Sequence, residues 1–289
     1  MNEDTAAGVF DVVAQGEISE LGNIYERHAQ YFELAEKLLV LAYDCVPLGK
    51  TIEHQLPARV ERILMVLYVQ VFRLYRSILV LCKCGLDSEA LILLRSLLET
   101  TSMLLYLAER DHNERIGRYY HSYRISRYSG LKDLLEAFPE VSTKLRPETP
   151  ERQKKDCEES VQYFCTKHNL GSDVPDREIR RKHTIRPDIA AQEVDMPELR
   201  KMWKILYPIL SEVSHAQKIS EFVKQGDAAN KFELQVHPRD DSTDACLINA
   251  MRLAFWSMSR INTTLRLGNG EPISALDKSV DGFFTAELV

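Results

Sequence analysis

The stretch SEALILLRSLLETTSMLLYLAERD, residues 88–111, decides the fold class. Its apolar residues occupy most of the circumference of a helix, which is typical of a helix that is buried on nearly all sides. Asp87, immediately before it, is a suitable N-cap because a carboxylate accepts hydrogen bonds from the first free backbone N–H groups. The pattern therefore predicts a central helix that other helices surround.

Further helices are predicted on both sides of the central one. Apolar residues recur at helical spacing over about 23–45, 57–84, 113–138, 150–168, 196–215 and 242–267. One stretch, KFELQVHP at 231–238, alternates as a strand does, so at most one short strand or hairpin is expected there. The sequence predicts an all-α bundle of about seven helices in a single domain over 1–289. Within it we expect a helical core at 23–267, a basic loop at 170–195 and a short C-terminal tail at 268–289.

Composition limits where the protein works and what it binds. The net charge of -6 gives no overall positive field toward nucleic acid or membrane, so any anion site has to be local. The N-terminal residues lack the basic-then-apolar order of a signal peptide. The longest apolar run, 63–82, contains Gln70, Arg73 and Arg76, which are costly at the centre of a bilayer. We expect a cytoplasmic protein with no membrane partner, and six cysteines without a C-x-x-C pair fit buried thiols.

Two charged residues interrupt the central helix. Arg95 and Glu99 stand at i and i+4 in RSLLE, hence on one face among leucines. One interpretation is a structural ion pair that fixes how the helices pack. The other is that Arg95 faces a cavity, where its guanidinium forks onto a phosphate or carboxylate.

A polar strip ends a later helix. In YPILSEVSH, residues 207–215, Tyr207, Ser211 and His215 recur every four residues, with Ser214 beside them. Small hydroxyl side chains allow close approach of a ligand or of a neighbouring backbone. The strip is therefore either part of a site or a tight helix crossing with a hydrogen-bonded core histidine.

Basic residues cluster in two other places. The stretch RIGRYYHSYRISRY, residues 115–128, interleaves arginines with tyrosines, as grooves for single-stranded nucleic acid do, and Arg118 and Tyr119 are its candidate binding residues. Tyrosine packing with arginines that extend to solvent explains the same pattern. The run at 177–186 is either a lid over an anionic substrate or a solvated loop.

The RSLLE and Y-x-x-x-S-x-x-S-H motifs give the chain a resemblance to a family. It resembles a bacterial family of uncharacterised all-helical proteins over about residues 60–220, and it is distantly similar to the HEPN superfamily, some of whose members cleave RNA. The resemblance implies a site at Arg95, Glu99, Tyr207, Ser211 and His215. As a hypothesis, we assign Arg95, Glu99 and His215 catalytic roles in it, and Tyr207, Ser211 and Ser214 substrate binding. The R-x4-6-H motif of that superfamily occurs twice, Arg115–His121 and Arg177–His183. Random placement predicts about two matches, so their number carries no weight.

Two functions follow as hypotheses. The first is an RNA-binding or metal-independent RNA-cleaving effector in a bacterial stress or defence context. The second is a non-catalytic binding or scaffold protein with a polar pocket for a small anionic ligand or a partner. Neither H-E-x-x-H nor a P-loop motif occurs, so we expect no metal and no cofactor. The expected partners are RNA or a small anion, and a second copy in a homodimer.

Overall fold

The computed structural model of the chain describes residues 21–45, 56–146, 148–171, 174, 176–214, 223–225, 232–234 and 240–276. Nine helices are named here in chain order: α1 Ala29–Asp44, α2 Ala58–Lys83, α3 Asp87–Glu109, α4 His112–Ala137, α5 Glu148–His168, α6 Asp176–Lys182, α7 Pro187–Glu193, α8 Pro197–Ser214 and α9 Thr243–Leu265. A 3₁₀ helix, Pro139–Lys144, follows α4, and residues 21–27 and 270–276 are also helical.

The all-α prediction is confirmed, but the number of helices was set too low. The described residues contain more than seven helices, because α6 and α7 lie inside the segment predicted as a loop. Each has seven residues, about two turns, which is too short to show a repeating apolar pattern. Three-residue strands β1 Val223–Gln225 and β2 Phe232–Leu234 form an antiparallel pair, with β2 inside the stretch where a strand or hairpin was expected.

The chain divides into two compact units. The first comprises residues 1–109 and 191–289, and the second comprises 110–190. The single-domain prediction stays a prediction, because compactness describes contacts and not independent folding.

The first unit is built around α3, which contacts α2, α8 and α9. Every residue from Thr101 to Ala108 is buried, so this half of α3 is covered on all sides. Two buried tyrosines tie α2 to α1: Tyr68 donates a hydrogen bond to the Ala42 carbonyl at 3.2 Å, and Tyr75 donates to that of Ala35 at 2.8 Å. Burial raises the pKa of both hydroxyls, so they remain donors.

A glycine separates α2 from α3. Gly85 has a φ of 65°, a left-handed conformation that glycine adopts without steric cost. The Leu86 N–H then donates to the carbonyl of Leu81 at 2.9 Å, which closes the end of α2. The turn allows the two apolar helices to pack against each other.

The second unit has a core of its own. It consists of five buried residues of α4, α5 and α6: Ile125, Cys157, Phe164, Cys165 and Ile179. Along α4, Arg124 pairs with Asp156 and Glu159 of α5. The Ser122 hydroxyl accepts a hydrogen bond from the Ile185 N–H at 2.8 Å, which fixes the segment after α6.

Two helices, α2 and α3, are long and apolar enough to cross a membrane, by length and composition alone. The core helix of a soluble protein passes the same test, and 61% of the most apolar window of α3 is buried, against 39% for α2. The prediction of no membrane partner stays a prediction. All six cysteines are free thiols, and only Cys84 is exposed.

Candidate functional site

The centre of the candidate site is the pair on α3. Arg95 Nε donates to Glu99 Oε1 at 3.2 Å, as the four-residue spacing allows. The two side chains are 22% and 34% exposed, so neither is fully withdrawn from water. The pair therefore lies at the edge of the core, where both a structural and a binding role are possible in physical terms.

Helix α8 places Tyr207 against this pair. Arg95 Nη2 donates to the Tyr207 hydroxyl at 2.9 Å, and the guanidinium carbon lies 5.0 Å from the centroid of the tyrosine ring. The two residues are 112 positions apart in the chain. The motifs RSLLE and YPILSEVSH thus contribute to one cluster, as the resemblance implies for Arg95, Glu99 and Tyr207.

A tryptophan supports Tyr207 from the preceding turn. The rings of Trp203 and Tyr207 stack with centroids 4.3 Å apart and planes 26° apart. Trp203 Nε1 donates to Ser102 Oγ at 2.7 Å, and Ser102 donates to the carbonyl of Leu98 at 2.8 Å. Two contacts between α3 and α8 therefore hold the tyrosine in place: one through Arg95 and one through Trp203.

Sequence reasoning missed Trp203 and Ser102. Their positions carry a signal, because Trp203 precedes Tyr207 by four residues and thus shares its helix face. The indole N–H requires an acceptor when it is half-buried, and Ser102, the last residue of the polar run 99–102, is a buried hydroxyl. The two residues belong to the same set of polar exceptions as Arg95.

Arg95 is charged, and some of its hydrogen-bond donors already have partners within the protein. Burial by itself would lower the pKa of Arg95, but hydrogen bonds with Glu99 and Tyr207 raise it above the usual value. A guanidinium has five N–H donors, and two of them are used here. Nη1 makes no hydrogen bond with any residue that the structure describes, so a planar donor remains for an anionic group.

The other residues of α8 are less informative. Ser214 donates to the carbonyl of Leu210 at 2.7 Å, within its own helix. Ser211 is half-buried one turn after Tyr207. His215 lies outside the described residues, and its catalytic role stays a prediction.

Arg118 and Tyr119 belong to the second unit. Arg118 Nε donates to the His183 carbonyl at 3.3 Å, and burial, followed by the neighbouring Tyr123, raises the pKa of Tyr119. Arg124 of the same helix is engaged with carboxylates of α5. These contacts agree with the packing interpretation of the arginines and tyrosines of α4. The substrate-binding roles of Arg118 and Tyr119 stay predictions.

The described residues also contain no group of three His, Cys, Asp or Glu side chains that could hold a metal ion. The chemistry that the Arg95 cluster offers is recognition: a fixed cation, a carboxylate, a phenol and an indole.

Comparison with known proteins identifies a family. No curated protein and no solved structure gives a significant match. A family of unknown function, DUF5677, matches residues 61–230, a span that includes both RSLLE and YPILSEVSH. The chain therefore belongs to DUF5677, and the prediction of an uncharacterised family is confirmed to that extent.

Proposed function

We propose that this chain is a helical binding protein in which Arg95 holds the anionic group of a small ligand. The observation that supports this proposal is the geometry of Arg95, whose Nε and Nη2 donate hydrogen bonds to Glu99 and Tyr207. These two bonds orient the guanidinium before a ligand arrives, so less side-chain entropy is lost on binding. Glu99 offsets the charge of Arg95, and selectivity for a carboxylate or phosphate then comes from hydrogen-bond geometry.

Titration calorimetry with acetate, inorganic phosphate and AMP tests this proposal. We expect at least one of these anions to bind the wild type, and Arg95→Gln to reduce the affinity by about tenfold or more. Arg73→Gln, which removes an exposed arginine of α2, is the matched control and should leave the affinity unchanged. Absence of binding to the wild type, or equal loss in both variants, would overturn the proposal.

RNA cleavage is the second candidate function, and one observation favours it. The Glu99 carboxylate orients Arg95. An RNA-cleaving mechanism requires such an oriented arginine, because its guanidinium stabilises the charge that develops on the phosphodiester. His215 would act as general acid or base on a ribose 2′-hydroxyl, without metal, while Tyr207 and Ser211 position the substrate.

Incubation of purified protein with labelled RNA in EDTA distinguishes the two functions. Cleavage by the wild type that is lost in both His215→Ala and Arg95→Ala would support the second candidate. The same variants expressed in cells should then spare total RNA and growth. Identical RNA profiles for the wild type and both variants would rule out cleavage through this site.

A cytoplasmic homodimer in a stress or defence context belongs to the same proposal. The surface that we propose for self-association is the face of α2 on which Val66, Val69 and Val80 are exposed beside Arg62, Arg73 and Arg76. Light scattering of the purified protein measures the mass. A dimer that Val66→Lys converts to monomer would support this surface, and a monomeric wild type would refute the dimer.

A further inference from the structure

A cavity of about 490 Å³ lies within the second unit, lined by residues of α4, α5 and α6. Ile125 and Cys157, each 3% exposed, belong both to its lining and to the core of the unit. The volume falls in the range of sites for small molecules, roughly 300–1,000 Å³. A lining that combines buried apolar residues with a few polar ones is usual for such a site.

Cations exceed carboxylates in the lining of this cavity. Lys132, Lys154, Arg177 and Arg180 line it together with only two acids, Asp133 and Glu158. Their formal charges leave an excess of two positive charges (four cations minus two carboxylates) in a chain whose net charge is -6. A local positive field in an acidic protein marks a place where an anion is favoured.

The cations are not consumed by strong ion pairs. Lys154 Nζ lies 3.9 Å from Glu158 Oε1, and Lys132 Nζ lies 3.9 Å from Glu136 Oε1, both at the limit of an ion pair. Arg180 donates to the Ser129 hydroxyl, which holds its guanidinium without neutralising it. Arg177 makes no ion pair with any residue in the described part of the chain. An anionic ligand would therefore not have to displace an established carboxylate partner of Arg177 or Arg180.

An apolar groove adjoins the cationic cavity. It has a volume of about 330 Å³ and shares Tyr128, Lys132 and Lys154 with the cavity. Leu131 and Leu135 of α4 line it together with Pro150 of α5. The carboxylates of Glu136 and Glu151 line it as well, so the two compartments together contain four cations and four carboxylates, and the positive excess is confined to the cavity. A charged compartment and an apolar compartment thus meet along one pair of helices.

We propose that the second unit binds a free amphiphilic anion, with a phosphate or carboxylate in the cationic cavity and an apolar chain along the groove. An inorganic ion alone would leave the leucines of the groove exposed to water. A neutral hydrocarbon would gain nothing from Arg177 and Arg180, which are exposed to water. Only a molecule with both parts matches the two compartments, and this site is separate from the Arg95 cluster of the first unit.

Calorimetry on Arg95→Gln protein, which lacks the proposed anion site of the first unit, tests the match with three probes: octyl phosphate below its micelle concentration, octanol and inorganic phosphate. Octyl phosphate should bind at least about tenfold more tightly than either partial probe, because each of them fills one compartment only. Comparable affinities for octyl phosphate and octanol would overturn the cationic part of the proposal. Comparable affinities for octyl phosphate and inorganic phosphate would overturn the apolar part.

Variants locate the binding. Arg177→Gln should lower the affinity for octyl phosphate by about tenfold, because it removes a cation that faces the phosphate. Leu135→Asn should also lower it, because it removes an apolar contact with the octyl chain. Arg181→Gln is the matched control, because Arg181 is exposed on α6 but does not line the cavity. Equal effects of Arg177→Gln and Arg181→Gln would contradict the site. These variants are made in the Arg95→Gln background, so that anion binding at the Arg95 cluster of the first unit does not contribute to the measured affinity.

Discussion

Tyr207 is the residue on which the two motifs of the first unit meet, so its hydroxyl offers the smallest test of the cluster. Tyr207→Phe keeps the ring that stacks on Trp203 and removes only the acceptor for Arg95. We expect the free energy of unfolding to fall by about 1 kcal/mol, the usual net value of one hydrogen bond. Urea denaturation followed by circular dichroism measures the change.

The matched control for Tyr207→Phe is Tyr43→Phe. Tyr43 is 50% exposed at the end of α1, and its hydroxyl lies outside the core. This variant should unfold at the same urea concentration as the wild type. If the two variants behave alike, the Arg95–Tyr207 hydrogen bond contributes nothing to stability.

His28 and its carboxylates give the first unit a dependence on pH. His28 Nε2 lies 2.9 Å from Asp240 Oδ2, and Nδ1 lies 2.5 Å from Asp244 Oδ1, while Arg27 also binds Asp240. Burial by itself would raise the pKa of Asp240, but the hydrogen bonds from His28 and Arg27 hold it below the usual range. A lowered pKa in the folded state stabilises the fold above the unfolded value, about 3.9, and this stabilisation is lost as pH falls through the folded pKa.

The prediction concerns Asp240→Asn across pH. At pH 7 this variant should melt at a lower temperature than the wild type, and the gap should narrow once the pH falls below about 4. Thermal melts followed by circular dichroism, at pH 7 and at a pH below about 4, measure the difference in melting temperature between the variant and the wild type. Asp195→Asn, at a side chain that is 88% exposed, is the control and should show a small gap at either pH. A gap for Asp240→Asn that widens on acidification would reverse the assigned sign.

At the scale of single residues, the sequence indicates which polar residues interrupt an apolar helix, but it does not indicate which of them contact each other. Arg95, Glu99 and Tyr207 stand out because polar groups in an apolar helix require partners. The bond from Arg95 to Tyr207 depends on how α8 lies against α3, and no local pattern encodes that crossing. Trp203 was missed because an aromatic residue on the apolar face of a helix is usually a packing residue, and this pattern alone does not indicate a hydrogen-bond partner for its indole.

Among the elements, long helices were predictable to within a few residues. Pro197 at the first position of α8 and Gly85 after α2 are local signals, and the helix bounds follow them. The short helices α6 and α7 escaped prediction because two turns are stabilised by packing more than by their own sequence. Local chemistry therefore sets where long helices begin and end, and tertiary contacts decide the short ones.

Helix α8 depends on a narrow buried face, which two adjacent residues can test. Leu210 is 0% exposed and Ile209, its neighbour in sequence, is 44% exposed. Leu210→Ala should cost about 2–5 kcal/mol of unfolding free energy, because it leaves a cavity in the core. Ile209→Ala should cost well under half of that, as urea denaturation would show. Equal costs would mean that α8 is not held by this face.

For the whole molecule, the sequence predicted the all-α class of the fold but not the division of the chain into two compact units. Apolar periodicity shows that each helix has a buried face, but it does not show which helices share a core. The five-residue core around Phe164 draws only on α4, α5 and α6, whereas α3 anchors the helices of the first unit. A single domain and two cooperative units are therefore both compatible with the same pattern of residues.

Hydrogen exchange with one core variant in each unit separates these possibilities. Phe164 and Leu97 are both 0% exposed, in the second and first unit respectively. Phe164→Ala should destabilise its core by about 3–5 kcal/mol, and Leu97→Ala by about 2–5 kcal/mol. If each unit opens as its own cooperative block, Phe164→Ala speeds amide exchange within residues 110–190 only, and Leu97→Ala speeds it in the described helices outside that range. Faster exchange along the whole chain in both variants would instead establish the single domain over 1–289, because one cooperative unit loses all its protection together.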